Sequence, residues 1–320
     1  MQTRRNTKNR QKLSPLSEKQ LLNRSPFSYA KYSVPKEERP DRNEDYTLVD
    51  QRRGLAAVFD GVGGSVAGDV ASRVAARVVR RNWKRFLQTR QQGLEQPEML
   101  EACNSEEVRS TLQQFLLDAH EEINADGVRR AKAKGEDAGK EVQATTIALA
   151  VFCRSSQEDG YTMVYAWVGD SRIYLLRKSE KLMRLTTDDG WLAKMVKENT
   201  LSEAEALRID QAMHADDLTE VEREHFDKRN GITQALGGSR PKDIHVGDVA
   251  LLPGDRVLLC SDGVHDNLAD VHIEDMLRYA TRTTVANLLV ESAIKGSHQT
   301  DGSIRAKPDD MSAVVVTYQG

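Results

Sequence analysis

The chain has 320 residues, of which 39% are apolar and 30% charged, and its formal net charge at pH 7 is −3. Such a length and apolar content suit one large domain with a sizeable core and a well-solvated surface. No apolar stretch approaches the eighteen or so residues that span a bilayer, and the N-terminal arginines precede no apolar segment. A membrane-spanning or secreted protein is therefore not expected, and a cytoplasmic one is.

The charge is unevenly spread. Residues 1–40 hold ten Lys or Arg against Glu18, Glu37 and Glu38, a balance of +7 that leaves −10 on the remaining 280 residues. A basic leader can bind nucleic acid or a membrane surface, but this one lacks aromatic interleaving and helical periodicity. Residues 1–30 are expected to be a solvated, disordered tail and residues 31–320 one folded domain, with order beginning near Tyr32 to Pro35. Glu44-Asp45 precedes the strand-like Tyr46 to Val49, and the apolar run Leu55 to Phe59 reads as a buried strand ending at Asp60-Gly61. A helix follows, with Val70, Ala71, Val74, Ala75, Val78, Val79, Phe86 and Leu87 on one face and Arg73, Arg77, Arg80 and Arg81 on its flanks. A second helix starts at the N-cap Asn104 and buries Val108, Leu112, Phe115, Leu116, Ala119 and Ile123.

The period then changes. Thr145 to Cys153 and Tyr161 to Val168 are strand-like, and Gly169-Asp170-Ser171 reads as the turn of a hairpin continuing into Arg172 to Leu176. Residues 187–230 are polar, with capping boxes at Ser202/Glu205 and Thr219/Glu222 that predict short helices. Arg256 to Cys260 is a strand stopping at Asp262-Gly263. A helix over about 284–295 buries Val285, Leu288, Leu289 and Ala293 and stops at Gly296, and Ala313 to Val316 is a closing buried strand. Strands and helices in pairs and runs favour antiparallel sheets with segregated helices, an α+β layered fold, over a doubly wound sheet.

The chemistry lies in where the acids fall. Asp60, Asp170 and Asp262 each end a strand, Asp309 immediately precedes the last one, and Glu44 precedes the first of these runs. Any one Asp-Gly is explained as a turn. Several carboxylates at one sheet edge would repel each other strongly, however, and such a cluster persists when cations neutralise it. All-oxygen ligands select hard ions such as Mg²⁺ or Mn²⁺ over zinc, and a glycine carbonyl such as that of Gly61 can add to them. The seven histidines show no HxH, HxxxH or HExxH spacing, and Cys103, Cys153 and Cys260 form no CxxC pair, so neither a zinc site nor a disulfide framework is implied.

Arg42-Asn43-Glu44-Asp45, Asp60-Gly61-Val62-Gly63-Gly64, Gly169-Asp170-Ser171-Arg172, Cys260-Ser261-Asp262-Gly263 and Asp309-Asp310-Met311-Ser312 occur in the order found in the metal-dependent, type-2C Ser/Thr protein phosphatases. Ala67 to Ser72, Thr145-Thr146 and Ile232 to Gly237 also resemble blocks of that family, most closely its bacterial branch, and the match runs from about residue 28 to 320. The resemblance implies a four-layer α-β-β-α sandwich of two antiparallel sheets with a metal cleft at the sheet edges. It implies that Asp60 bridges two ions of Mg²⁺ or Mn²⁺, that Asp262 and Asp309 complete the first, and that Glu44 and the Gly61 carbonyl complete the second. Asp170 and Asp262 would hold a third, weaker ion. The implied reaction is hydrolysis of protein phosphoserine and phosphothreonine by an activated water, reversing a Ser/Thr kinase, without a covalent phosphoenzyme.

The pattern has departures. The family's phosphate-binding arginine would fall at Pro40, which leaves Arg39 as the candidate and Arg42 as the second. Val62 stands where some members have a histidine, Asp310 replaces an asparagine, and Ala144 a glycine. The family's flap corresponds to about residues 188–231, where Trp191, Leu192, Met195 and Val196 either dock substrate or anchor a flap helix to the core. Other readings are a two-metal phosphoesterase of small substrates and an inactive phosphatase-like binding module; every implied metal ligand is present, which speaks against the second.

Overall fold

Successive side chains of a strand point to opposite faces, so a continuous apolar run needs cover on both sides. The computed structural model, which describes residues 25–62, 67–91, 98–99, 102, 104–136, 143–155, 160–299 and 302–320, supplies that cover. In β3 (Leu55–Gly61), Leu55, Ala57 and Phe59 face a core shared with α1 (Gly68–Arg90) and α2 (Ser105–Lys134), while Ala56 and Val58 face a core between two sheets. β4 (Thr145–Arg154) divides in the same way, Ile147, Leu149 and Val151 toward the helices and Ala148, Ala150 and Phe152 inward. In β9 (Arg256–Cys260) and β10 (Met311–Tyr318), Val257, Leu259, Val314 and Val316 fill the inter-sheet core. Their neighbours Leu258, Cys260, Ala313 and Val315 pack toward α7 (Asp270–Tyr279) and α8 (Val285–Ser297).

One sheet has the order β1 (Phe27–Val34), β10, β9, β6 (Arg172–Leu176), β7 (Met183–Arg184). The other runs β2 (Tyr46–Asp50), β3, β4, β5 (Tyr161–Val168), β8 (His245–Leu251). All these pairings are antiparallel. The result is the expected α+β sandwich, helices outside and two five-stranded sheets inside. Among the described residues no helix is long and apolar enough to cross a membrane.

Three expectations are corrected. Residues 161–176 do not form a hairpin: β5 pairs with β4 and β8, whereas β6 pairs with β9 and β7 in the other sheet. The Gly169 turn is a crossover. Gly169 has φ +96°, and a Cβ there would meet the Thr146 side chain at 2.5 Å, so only glycine lets the chain pass. The first described strand starts at Phe27, ahead of the expected Tyr32, and pairs along its whole length with β10. Leu288 lies 40% exposed on α8, and Gly296 packs inside that helix against the Asn267 carbonyl instead of ending it. The expected tail up to residue 24, together with Gly63, Gly64 and Cys103, lies outside the described residues.

The segment expected as a flap carries α3 (Trp191–Lys197), α4 (Glu203–Asp210) and α5 (Glu220–Asp227), the last two starting at the capping boxes of Ser202 and Thr219. Met195 is buried, and Leu192 packs on a small cluster of Ile209, Ala212 and Phe226, so these two side chains anchor the segment. Trp191 donates its indole N–H to His225 Nδ1 at 3.1 Å. A buried ion network ties the segment down. Arg172 Nη2 lies 2.6 Å from Asp188 and 2.8 Å from Asp210, and Arg184 lies 3.3 Å from Asp210. Arg305 donates to the carbonyls of Asp210 and His265, both at 2.5 Å. Burial alone would raise the Asp210 carboxyl, but Arg172 and Arg184 beside it hold it well below the usual carboxylate range. Arg172→Met is expected to lower unfolding free energy by about 3–5 kcal/mol, because the buried Asp210 and the half-buried Asp188 lose their shared guanidinium. A urea titration with a change under about 1 kcal/mol would remove the network from the fold's supports.

Candidate metal centre

The two sheets meet at an edge where strand ends from both deliver carboxylates. Asp60 comes from β3 of one sheet; Asp262, opening the short α6 (Asp262–His265), follows β9 of the other, and Asp309 precedes β10. Asp170 sits in the crossover between β5 and β6, and Glu44 in the loop before β2. All five line one cavity of about 310 Å³, together with Gly61, Arg39, Thr146 and Lys307.

Close backbone approach builds one wall. A Cβ on Gly61 would meet the Gly68 backbone at 2.5 Å and the Glu44 carbonyl at 2.8 Å, so the N-terminus of α1 seats directly on the end of β3. Asp310 fixes the loop before β2: its carboxylate accepts from the Lys36 N–H at 2.6 Å and the Glu44 N–H at 2.7 Å. The buried Asp45 accepts from Ser261 Oγ at 2.7 Å, and Ser261 Oγ in turn accepts from the Ser312 N–H at 3.0 Å. Thr145 Oγ1 donates to the Asp60 carbonyl at 2.8 Å.

The electrostatics are graded. Among the described residues no donor reaches the Asp60 or Asp170 carboxylate, and both are raised well above the ordinary value, first by burial and then by the neighbouring acids. Asp309 is raised to about 6 by burial and by Asp262, with Lys307 opposing. Lys307 Nζ lies 2.5 Å from Asp262, 2.8 Å from Asp266 and 3.3 Å from Asp309. Glu44 is buried and raised by that burial, although Arg42 at 2.8 Å and Arg39 at 3.3 Å oppose the shift.

Hydrogen bonds do not satisfy such a cluster; cations do. Among the described residues no three Asp, Glu, His or Cys side chains are closed to coordination spacing. The carboxylates instead face one another across a cavity roomy enough for ions, and among the described residues Asp60 and Asp170 accept from no donor. Their all-oxygen character, with the Gly61 carbonyl beside them, fits hard divalent ions. Arg39 lines the cavity, whereas Arg42 is drawn toward α1 by Asp69 at 3.0 Å. Cys260 is buried, and burial pushes its thiol up, so it offers no nucleophile. Lys307 and Asp266 were not read from the sequence. The available signals were a lysine two residues before Asp309 and an acid four residues after Asp262, one turn along a short helix.

The protein phosphatase 2C family model matches residues 37–293. A serine/threonine protein phosphatase of Mycobacterium tuberculosis, PstP, is 31% identical over 148 residues, 46% of this chain and 23% of that protein. The protein phosphatase PhpP of Streptococcus pneumoniae is 32% identical over 114 residues, 36% of this chain and 39% of that protein. The matched stretches thus span well under half of these relatives' length. The crystal structure of M. tuberculosis PstP aligns with a TM-score of 0.65 at 23% identity, covering 92% of this chain and 99% of that one. The Staphylococcus aureus phosphatase Stp1 aligns with a TM-score of 0.64 at 19% identity, covering 92% and 96%. A structure of the PstP catalytic domain holds two manganese ions; it aligns at 24% identity with a TM-score of 0.61 and covers 92% of this chain and 99% of that one.

Two stability effects follow from the crowding of acids. Asp60→Asn is expected to raise the melting temperature of EDTA-treated protein, by about 2 °C per kcal/mol of relieved repulsion in a chain of this size, as read by calorimetry. A lower melting temperature would mean that the Asp60 charge supports the fold. Because the folded-state value of Asp309 is raised, its contribution to stability is present below its ordinary value near 4 and lost as pH rises through about 6. The metal-free protein is therefore expected to lose stability across that window, and Asp309→Asn to flatten the loss. Equal slopes in the two proteins would refute the assignment.

Proposed function

The chain belongs to the protein phosphatase 2C family, and from that premise we propose that it hydrolyses phosphoserine and phosphothreonine in proteins, with Mg²⁺ or Mn²⁺ as cofactor. The observation that carries this reading is the convergence of Glu44, Asp60, Asp170, Asp262 and Asp309, from both sheets, on one cavity where, among the described residues, Asp60 and Asp170 lack donors. Glu44, Asp60, Asp262, Asp309 and the Gly61 carbonyl would hold two ions, and Asp170 with Asp262 a third. When bound, the ions supply an activated water and positive charge against the phosphoryl oxygens.

The chain's own groups complete the site. Arg39, 48% exposed at its side chain, lines the cavity and would bind a phosphoryl group entering it, whereas Arg42 is held between Glu44 and Asp69. Asn230 and Ile232, at the C-terminal end of the flap segment, also line the cavity and would meet the residues flanking the phosphorylated side chain. The substrates are then phosphoproteins and the counterpart a Ser/Thr kinase in the same compartment, which we take to be the cytoplasm.

The test is hydrolysis of a phosphothreonine peptide with EDTA, Mg²⁺ or Mn²⁺. Activity should require a divalent ion and fall roughly a thousandfold or more in Asp60→Asn and Asp262→Asn, the several kcal/mol that the cations contribute. Arg39→Ala should raise KM more than it lowers kcat, and Cys260→Ser should leave turnover intact. A folded protein inactive with either ion would favour the phosphatase-like binding module.

A further inference from the structure

The acids of the cavity are neutralised unequally, and the cation at the Asp262–Asp309 edge belongs to the chain. Lys307 Nζ contacts Asp262 at 2.5 Å, Asp266 at 2.8 Å and Asp309 at 3.3 Å. Its placement is not that of a freely swinging surface lysine. The Lys307 N–H donates to Asn267 Oδ1 at 2.9 Å, and the Lys307 carbonyl accepts from Asn267 Nδ2 at 2.8 Å. Asn267 is itself buried and donates to the Gly263 carbonyl at 2.8 Å. The backbone at Lys307 is thus pinned to the turn of chain that carries Asp262, and its stem folds back onto the carboxylates.

An ammonium and a divalent ion at this edge would claim the same carboxylates, Asp262 and Asp309. Asp266 differs: it is buried and does not line the cavity, so it gives the ammonium a partner away from the ion. We propose that Lys307 is a tethered competitor for the divalent ion at the Asp262–Asp309 edge, neutralising that edge when the ion is absent and retreating to Asp266 when it binds. Occupancy there then needs a higher ion concentration than it would without the Lys307 charge, whereas among the described residues Lys307 makes no contact with Asp60, Glu44 or Gly61, which would hold the second ion. The inference rests on the metal reading of the site.

The experiment is Mn²⁺ titration of the full chain, followed by calorimetry and by the electron paramagnetic resonance signal of free Mn²⁺, for wild type and Lys307→Met. That substitution keeps the stem and removes the charge; Lys307→Gln serves if it does not fold. The sites that use Asp262, at the Asp262–Asp309 edge and with Asp170, should tighten, the first roughly tenfold or more, as expected for removing a like charge a few ångströms away, while the site of Asp60, Glu44 and the Gly61 carbonyl stays within about twofold. In EDTA the variant should melt below wild type, and saturating Mn²⁺ should close the gap. Unchanged isotherms with binding intact, or uniformly weaker binding in the variant, would overturn the competition and leave the metal reading standing. No Mn²⁺ binding by either folded protein would overturn both.

Discussion

Like charge held at the seam of two sheets is the constraint around which the molecule is arranged. Asp60 lies on a strand of one sheet, Asp262 and Asp309 flank strands of the other, and Asp170 lies in the strand crossover that joins them. Asp60 would not approach Asp262 or Asp309 unless the sheets were stacked and in register, so the apolar layer between them does chemical as well as structural work. Ala56, Val58, Val257, Leu259, Val314 and Val316 set the spacing of the sheets, and the strand ends inherit it. The burial that stabilises the sandwich raises the carboxyls at its edge, so the stability of the core holds in place a cluster that is unfavourable on its own.

Much of this was legible because residues buried on both faces leave no polar alternation. The runs at Leu55–Phe59, Thr145–Cys153 and Ala313–Val316 read as strands, and Asp60 and Asp309, close to the first and last of them, line one cavity. The hairpin reading failed at Gly169 because local sequence records that the chain turns, not which strand it pairs with next; β6 pairs with β9 across about eighty residues of sequence. β8 was missed because its pattern mixes Gly247 and Asp248 with Val246 and Val249 on a partly exposed edge strand. The expected burial of Leu288 came from counting an apolar residue one position outside the stripe of Val285, Leu289 and Ala293.

The supports of the site were harder to read than its acids. Asp310, Asn267 and Arg305 act on groups distant in sequence: Asp310 holds Glu44, Asn267 holds Lys307, and Arg305 joins the carbonyls of Asp210 and His265. Nothing in the residues flanking them distinguishes a buried clamp from a solvated polar side chain. Such roles appear only when the fold brings the partners together.

The clamps also explain why the cavity and the segment beside it are one mechanical unit. Arg172 lies two residues from Asp170 and reaches Asp188 and Asp210 at either end of the first two flap helices. Arg305, two residues before Lys307, grips the Asp210 carbonyl from the other side. The Asp189 carboxylate accepts from the Gly169 N–H at 2.8 Å and meets His245 Nε2 at 2.8 Å, joining the same segment to β8. A displacement of the flap base would therefore move the backbone on both sides of the carboxylate cluster. Buried ion pairs are costly unless their geometry is satisfied, and here that geometry requires Arg172, Arg305 and the flap base at Asp188 and Asp210 in their mutual positions. Specificity of arrangement, more than net stability, is what this network contributes to the site.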